Sequence, residues 1–377
     1  MNLSRYASVT PALTAGILLA VAVPCSAQIT PAAPSVPPDD TPSIKVGATI
    51  FADYTVQANP KIKDADGNEV TSNAFNVART YINITGNINH YIAFRITPDI
   101  TRESESATAA TSLAGNYVFR LKYGFVQFNL DDHLNPGRTG TWVRLGVQQT
   151  PWVDYMEGIY RYRFQGQVFS EREGFLSSSD IGASFHYNFA HNYGEVHTGF
   201  YNGETYTRPE VNDQKGFMIR GTLRPLPKSE SLRGLRINGF YDHDAYVKNA
   251  DRTRGIFALT YEHKYVNASW EYLTATDQNA SATKIPMDAN GYSFWITPRS
   301  PKGWEGLLRY DHLDVNNNVT GAGIRTRWIG GVAYWFPHQG SVSTSLLLDV
   351  DQANFDDYAA AQPPTNTKYA IHALVNF

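Results

Sequence analysis

From Ile44 onward, hydrophobic and polar positions alternate. In IKVGATIFADYTVQ, residues 44–57, one side carries Ile44, Val46, Ala48, Ile50, Ala52, Tyr54 and Val56, and the other carries Lys45, Gly47, Thr49, Phe51, Asp53, Thr55 and Gln57. Period 2 over this length predicts a strand with one apolar side. Comparable runs recur to the end of the chain, among them RTYINITG, VFRLKYGFVQF, DIGASFHYNF, GIFALTYE, RWIGGVAYWF and SVSTSLLLDV, about sixteen in all. No segment carries a capped helical stripe of three turns.

The last run, KYAIHALVNF, places Tyr369, Ile371, Ala373, Val375 and Phe377 on one side and closes the chain on an aromatic residue. An apolar strand with nothing after it needs a partner for its backbone and an apolar medium for its face. Both needs are met if it pairs with the first strand and closes a barrel in lipid. The C-terminal Phe377 also resembles the signal read by the bacterial outer-membrane assembly machinery, with Tyr369, Ile371 and Val375 completing it.

A secreted β-sandwich binding module alternates too, and two features oppose it. The runs approach the ~9–11 residues that cross a bilayer at a tilt. Their polar sides carry Arg79, Arg95, Arg120, Arg144, Arg220, Arg236, Glu271, Arg309, Asp311 and Asp349, too many charges for a dry core. A transmembrane antiparallel β-barrel of about 16 strands puts them in water. Short connections (GNINH, FAHN, EHK, PHQG) alternate with longer ones such as ANPKIKDADGNEVTSN and DQANFDDYAAAQPPTNT, as in outer-membrane barrels.

The first residues change the picture of where the chain goes. Residues 1–27 hold Arg5, an apolar run and small residues before Gln28, the signature of a cleaved secretory signal peptide. Residues 28–43 form a Pro-rich periplasmic linker, and residues 44–377 form the barrel. Cleavage removes the single cysteine, Cys25, and with it disulfide, thiol and thiolate-metal chemistry. It removes only one charge, Arg5, leaving 31 basic against 35 acidic residues, a formal net charge of −4. Nothing in that balance points to nucleic acid.

Candidate chemistry lies in the longest connection, TPWVDYMEGIYRYRFQGQVFSEREGFLSSS. It carries Trp152, Asp154, Tyr155, Glu157, Tyr160, Arg161, Arg163, Glu171, Arg172 and Glu173, a mixture suited to folding back into a wet lumen and narrowing it. Facing it, the inward positions of early strands supply Lys45, Arg79, Arg95, Arg120, Lys122 and Arg144 as candidate pore-lining anion contacts. Later strands supply Asp242, Glu271, Glu305, Asp311, Asp349 and Asp351, so a basic wall opposite a more acidic one is expected. The faces of the fourth, tenth and fourteenth strands are ambiguous by one residue, and Arg327 would be costly facing lipid. KDADGNE lacks the spacing of a calcium loop and reads as an Asp-Gly turn. No metal, cofactor or catalytic set stands out.

The succession AFNVARTYINITGNINHYIAFRITPDI, VRLGVQQTPW, FSEREGFLSSSDIGASFHYNF, GEVHTGFYNGE and GFMIRGTLRP resembles the phosphate-selective porin O and P family, from about Phe75 to the end of the chain. The resemblance implies a homotrimeric porin of the Gram-negative outer membrane, with the third long loop folded into the pore and an arginine ladder to which Arg79, Arg95, Arg120 and Arg144 could belong. The lysine cluster of that family is not matched, since DAYVKNAD offers only Lys248. The expected function is passive diffusion of small hydrophilic solutes or ions, with a mild anion preference and without turnover. The alternatives are an outer-membrane barrel enzyme and the secreted module.

Overall fold

The computed structural model describes residues 40–377 apart from 104–114, 137, 138, 246, 280–282, 339 and 341. The expected signal peptide, and all but the end of the expected linker, lie outside the described residues.

Sixteen antiparallel strands close into one barrel in which every strand pairs with its sequence neighbours and β1 (Ser43–Lys63) pairs with β16 (Asn366–Asn376). All sixteen alternating runs are strands. At the seam the Ala48 and Phe377 amides each donate to the other's carbonyl, both at 3.0 Å. The Phe377 carbonyl lies where a Cβ on Gly47 would be, so the last peptide closes over a position that only glycine leaves open.

The alternation maps onto the two faces. Tyr369, Ile371, Val375 and Phe377 are exposed on the outer side, as are Ile44 and Val46, while His372 and Leu374 face inward and are buried. Tyr193, Tyr265, Trp304 and Phe336 stand exposed near the end of the barrel that carries both termini, where an aromatic girdle belongs.

The ambiguous strands now have assigned faces. In β4 (Tyr117–Asn129) Lys122 is an extra residue between the pairs Thr97↔Tyr123 and Pro98↔Leu121, a bulge opposite a residue with no amide to donate. Lys122 and Tyr123 are consequently both buried. In β10 (Asp251–His263) Arg254, Ile256, Ala258, Thr260 and Glu262 are buried on the inner side. In β14 (Ala322–Trp335) Arg327 meets Asp351 at 2.7 Å and Trp328 is exposed, so the arginine faces the lumen.

One expectation needs correction. Most of ANPKIKDADGNEVTSN is not loop: β1 and β2 (Glu69–Asn87) run on as a hairpin to a turn at 64–68. There Asp64 accepts from the amides of Asp66 and Asn68, and Gly67 takes φ +85°, the left-handed conformation the turn requires. Likewise β15 (Ser343–Tyr358) absorbs the first half of DQANFDDYAAAQPPTNT. Polar sequence misled here because a hairpin standing in water needs no apolar side.

Candidate functional site: the lumen constriction

The connection 150–178, between β5 (Trp142–Gln149) and β6 (Ser179–Asn188), folds into the lumen. Its two helices are named in chain order after a short turn of helix at Asp131–Leu134 (α1): α2 is Val153–Tyr160 and α3 is Phe169–Arg172. Asp154 lies in the first turn of α2, where the helix dipole favours a carboxylate. Val153, Tyr155, Met156, Ile159 and Tyr160 form its buried side.

That buried side is the fastening. Trp152 packs on Phe240, Tyr160 on Trp295, Tyr162 on Trp335 and Phe164 on Phe51. Polar ties reinforce the contact: Asn267 donates to the Ile159 carbonyl at 3.0 Å, Arg309 to that of Gln167 at 2.8 Å and Arg220 to that of Pro151 at 2.8 Å. Each uses a loop carbonyl that folding into the barrel takes from water. Trp152, Tyr155 and Tyr160 are thus anchors in a packed aromatic core, rather than pore surface.

The remaining predicted loop residues divide by direction. Arg161 takes a left-handed φ of 65° at the end of α2, stacks on Trp335 and pairs with Glu305 at 3.7 Å. Arg172 meets Asp351 at 3.6 Å, and Glu173 meets Arg325 at 3.2 Å. These three serve the later strands. Asp154, Glu157, Arg163 and Glu171 serve the early ones: Arg163 bridges Glu157 at 2.5 Å and Glu171 at 3.7 Å, Asp154 and Glu157 lie within electrostatic reach of Tyr123, and Lys122 lies within reach of Glu157. Burial, with Glu171 adding repulsion against the pull of Arg163, pushes the Glu157 carboxyl up to about 7.

Across from that face, β2, β3 (Ile92–Arg102) and β4 carry the basic side chains. Arg79 and Arg120 share one oxygen of the fully buried Asp99, at 2.7 and 2.8 Å. Arg95 donates to Asn83 at 2.9 Å and lies 4.5 Å from the ring centre of Tyr123. Lys122 donates to Ser178 at 3.2 Å, tying the wall to the end of the loop. Arg144 is buried, with its guanidinium 3.8 Å from the ring centre of Trp142 and 2.8 Å from Gln127. Lys45 stands exposed near the end of the barrel that carries the termini. At the constriction Arg79, Arg95 and Arg120 from the wall and Asp154 from the loop reach solvent, with Glu157 and Arg163 partly exposed beside Asp154.

The charge geometry therefore differs from the expectation on the acidic side. Asp242, Glu271, Glu305 and Asp311 are buried in the later strands, Arg309 holding Asp311 through both oxygens. The loop's own carboxylates face the basic wall. Of the later set only Asp351 stays partly exposed, while Asp349 is buried beside His372. Both border, with Asp53, Arg102, Gln165, Lys368 and His372, a cavity of about 410 Å³. Sequence reasoning also missed Asp99, although Arg95, Thr97 and Asp99 share one face by simple alternation. It missed Tyr206 as well, whose ring lies 5.1 Å from Arg120; this residue comes from the irregular connection 202–215, which carries no periodic signal. Among the described residues no group of His, Asp and Glu side chains is arranged to hold a metal ion.

Comparison with solved structures gives wide coverage at low identity. The loop L8 deletion mutant of OmpT, an outer membrane protein of Vibrio cholerae, is 13% identical with a TM-score of 0.58, over 90% of this chain and 100% of that one. The anion-selective porin of Comamonas acidovorans is 11% identical with a TM-score of 0.58, over 89% and 100%. Salmonella typhi OmpF in complex with daunomycin is 10% identical with a TM-score of 0.60, over 90% and 98%. The likeness is one of fold. No family model and no curated protein matches the sequence, so the resemblance to phosphate-selective porins stays one of motifs.

Proposed function

We propose that this chain is an outer-membrane porin, a passive channel for small hydrophilic solutes and ions with a mild anion preference. The carrying observation is the constriction, where Arg79, Arg95 and Arg120 face a loop surface presenting Asp154 and Glu157. A solute there crosses a transverse field in a narrow, weakly screened space. An anion that sheds water finds guanidinium donors in exchange.

Asp99 sets the strength of that attraction. One carboxylate between two arginines leaves a net positive charge and free guanidinium N–H groups without creating a deep trap, which suits flux. No reaction step or cofactor enters this reading. Residues 1–27 are removed on export, the long connections face outward, and three copies assemble, as in the trimer form of OmpT from Vibrio cholerae.

The test is conductance. Purified protein added to a planar bilayer in KCl should give discrete, long-lived current steps. A folded, heat-modifiable barrel that inserts without steps would overturn the channel reading.

A further inference from the structure

On the far side of the loop from the basic wall, α3 and strands β13 (Trp304–Asp314), β14 and β15 enclose a pocket of about 190 Å³. Its lining mixes apolar side chains, three guanidinium groups and the carboxylates of Glu173 and Asp311. Phe169 comes from α3, Leu313 from β13 and Phe355 from β15, while Arg172, Arg325 and Arg327 supply the charge. The register explains the convergence: Leu313, Arg325 and Phe355 are directly paired across three strands, and Asp311, Arg327 and Ala353 form the next inward row.

The carboxylates nearby are already engaged. Arg309 holds both oxygens of Asp311, Arg325 holds Glu173 at 3.2 Å, and Asp351 is shared by Arg327 at 2.7 Å and Arg172 at 3.6 Å. Four guanidinium groups therefore meet three carboxylates, leaving one positive charge in excess. Arg325 uses Nη1 for Glu173 and Nε for the Tyr358 hydroxyl, and Arg327 uses Nη1 for Asp351. The Nη2 groups of both have no partner among the described residues, and they stand two positions apart on the same face of β14.

We propose that this pocket binds a small organic carboxylate with an apolar or aromatic body, its oxygens bridging Arg325 and Arg327 and its body lying against Phe169 and Phe355. Two donors at i and i+2 suit the two oxygens of a carboxylate. The apolar lining selects a ligand with a greasy half over a bare inorganic anion. The pocket lies across the inserted loop from Arg79 and Arg120, so binding there does not rely on either of them. The inference names a solute class for the channel reading and in that sense rests on it.

The probes are benzoate and inorganic phosphate, titrated calorimetrically into the full-length barrel in detergent. Benzoate should bind once per chain, and R325Q and F355A should each weaken it about tenfold. R79Q should leave it unchanged. R325K and F355L, whose folding is checked by heat-modifiable migration, keep the test open if the first pair misfolds, and each should still weaken benzoate. No saturable binding, phosphate binding as tightly as benzoate, or affinities unmoved by the pocket variants would each overturn the proposal. KCl conductance separates the two readings: a barrel that conducts without binding benzoate sinks this inference alone, and one that binds without conducting sinks the channel alone.

Discussion

Glu157 sits on the loop between Arg163 and Glu171, with Lys122 across the gap, and its carboxyl is raised to about 7 chiefly by burial. Above that pH it is charged and opposes anions; as pH falls through it, the proton removes one negative charge and the anion preference should grow. Reversal potentials at pH 5.5 and 8.5 should differ in that direction, and E157Q should hold the acid value at both. A pH response equal in E157Q and the unmodified protein would move the titration elsewhere. How much of this was legible depends on the kind of residue. The inward arginines followed from period 2, because a side chain's face in a strand is fixed by parity. Asp99 obeyed the same parity and could have been found. The partnering of Arg79 with Arg120 through it could not, because register between strands is not written in either one.

The inserted loop and the closing strand show the same division at the scale of elements. The loop's length and composition announced its fold into the lumen, yet they did not say which aromatics would be anchors, since that depends on which wall each ring meets. Trp152 is fully buried against Phe240 and Tyr155. W152A should cost about 3–5 kcal/mol of packing, as large-to-small core changes do. Because the barrel ladder is intact without it, the loss should appear as loop mobility: added noise in the open-channel current, with unchanged heat-modifiable migration. A quiet W152A channel would mean that the loop is held elsewhere. For the closing strand, deleting Phe377 removes both ladder bonds to Ala48 and should lower the folded fraction severalfold. Replacing Asn376, whose Oδ1 accepts from the Thr49 hydroxyl at 2.7 Å, changes side-chain contacts and leaves the backbone ladder in place, so it should be much milder. Equal folded yields for the two changes would remove the special place given to the last residue. The bulge at Lys122 shows why one strand face resisted reading: a single extra residue reverses parity, and its cause, Pro98, lies on the neighbouring strand.

At the scale of the whole molecule, closure, strand number and the sidedness of the two faces were all readable, because a bilayer imposes length, alternation and the absence of edges together. The turn at 64–68 and the connection 359–365 lie at the end opposite the termini, the end proposed to face outward. Epitopes inserted at Gly67 or near Pro363 should be reached by antibody on intact cells, and one beside His338 should not; the reverse pattern would invert the barrel. Less legible was the path itself, since the acidic side of the field lies on the folded loop and not on the later strands. The central claim is that solutes pass between that loop and the arginines of β2–β4. Its most direct measurement is the zero-current potential across a bilayer separating ~0.1 M from ~0.01 M KCl, where the Debye length is ~10–30 Å and fixed charge is least screened. The unmodified channel should show anion preference, and R79Q/R120Q should move the potential toward cations, while R144Q, buried against Trp142, should shift it much less. A cation-selective unmodified channel, or a potential that R79Q/R120Q leaves in place, would contradict the account.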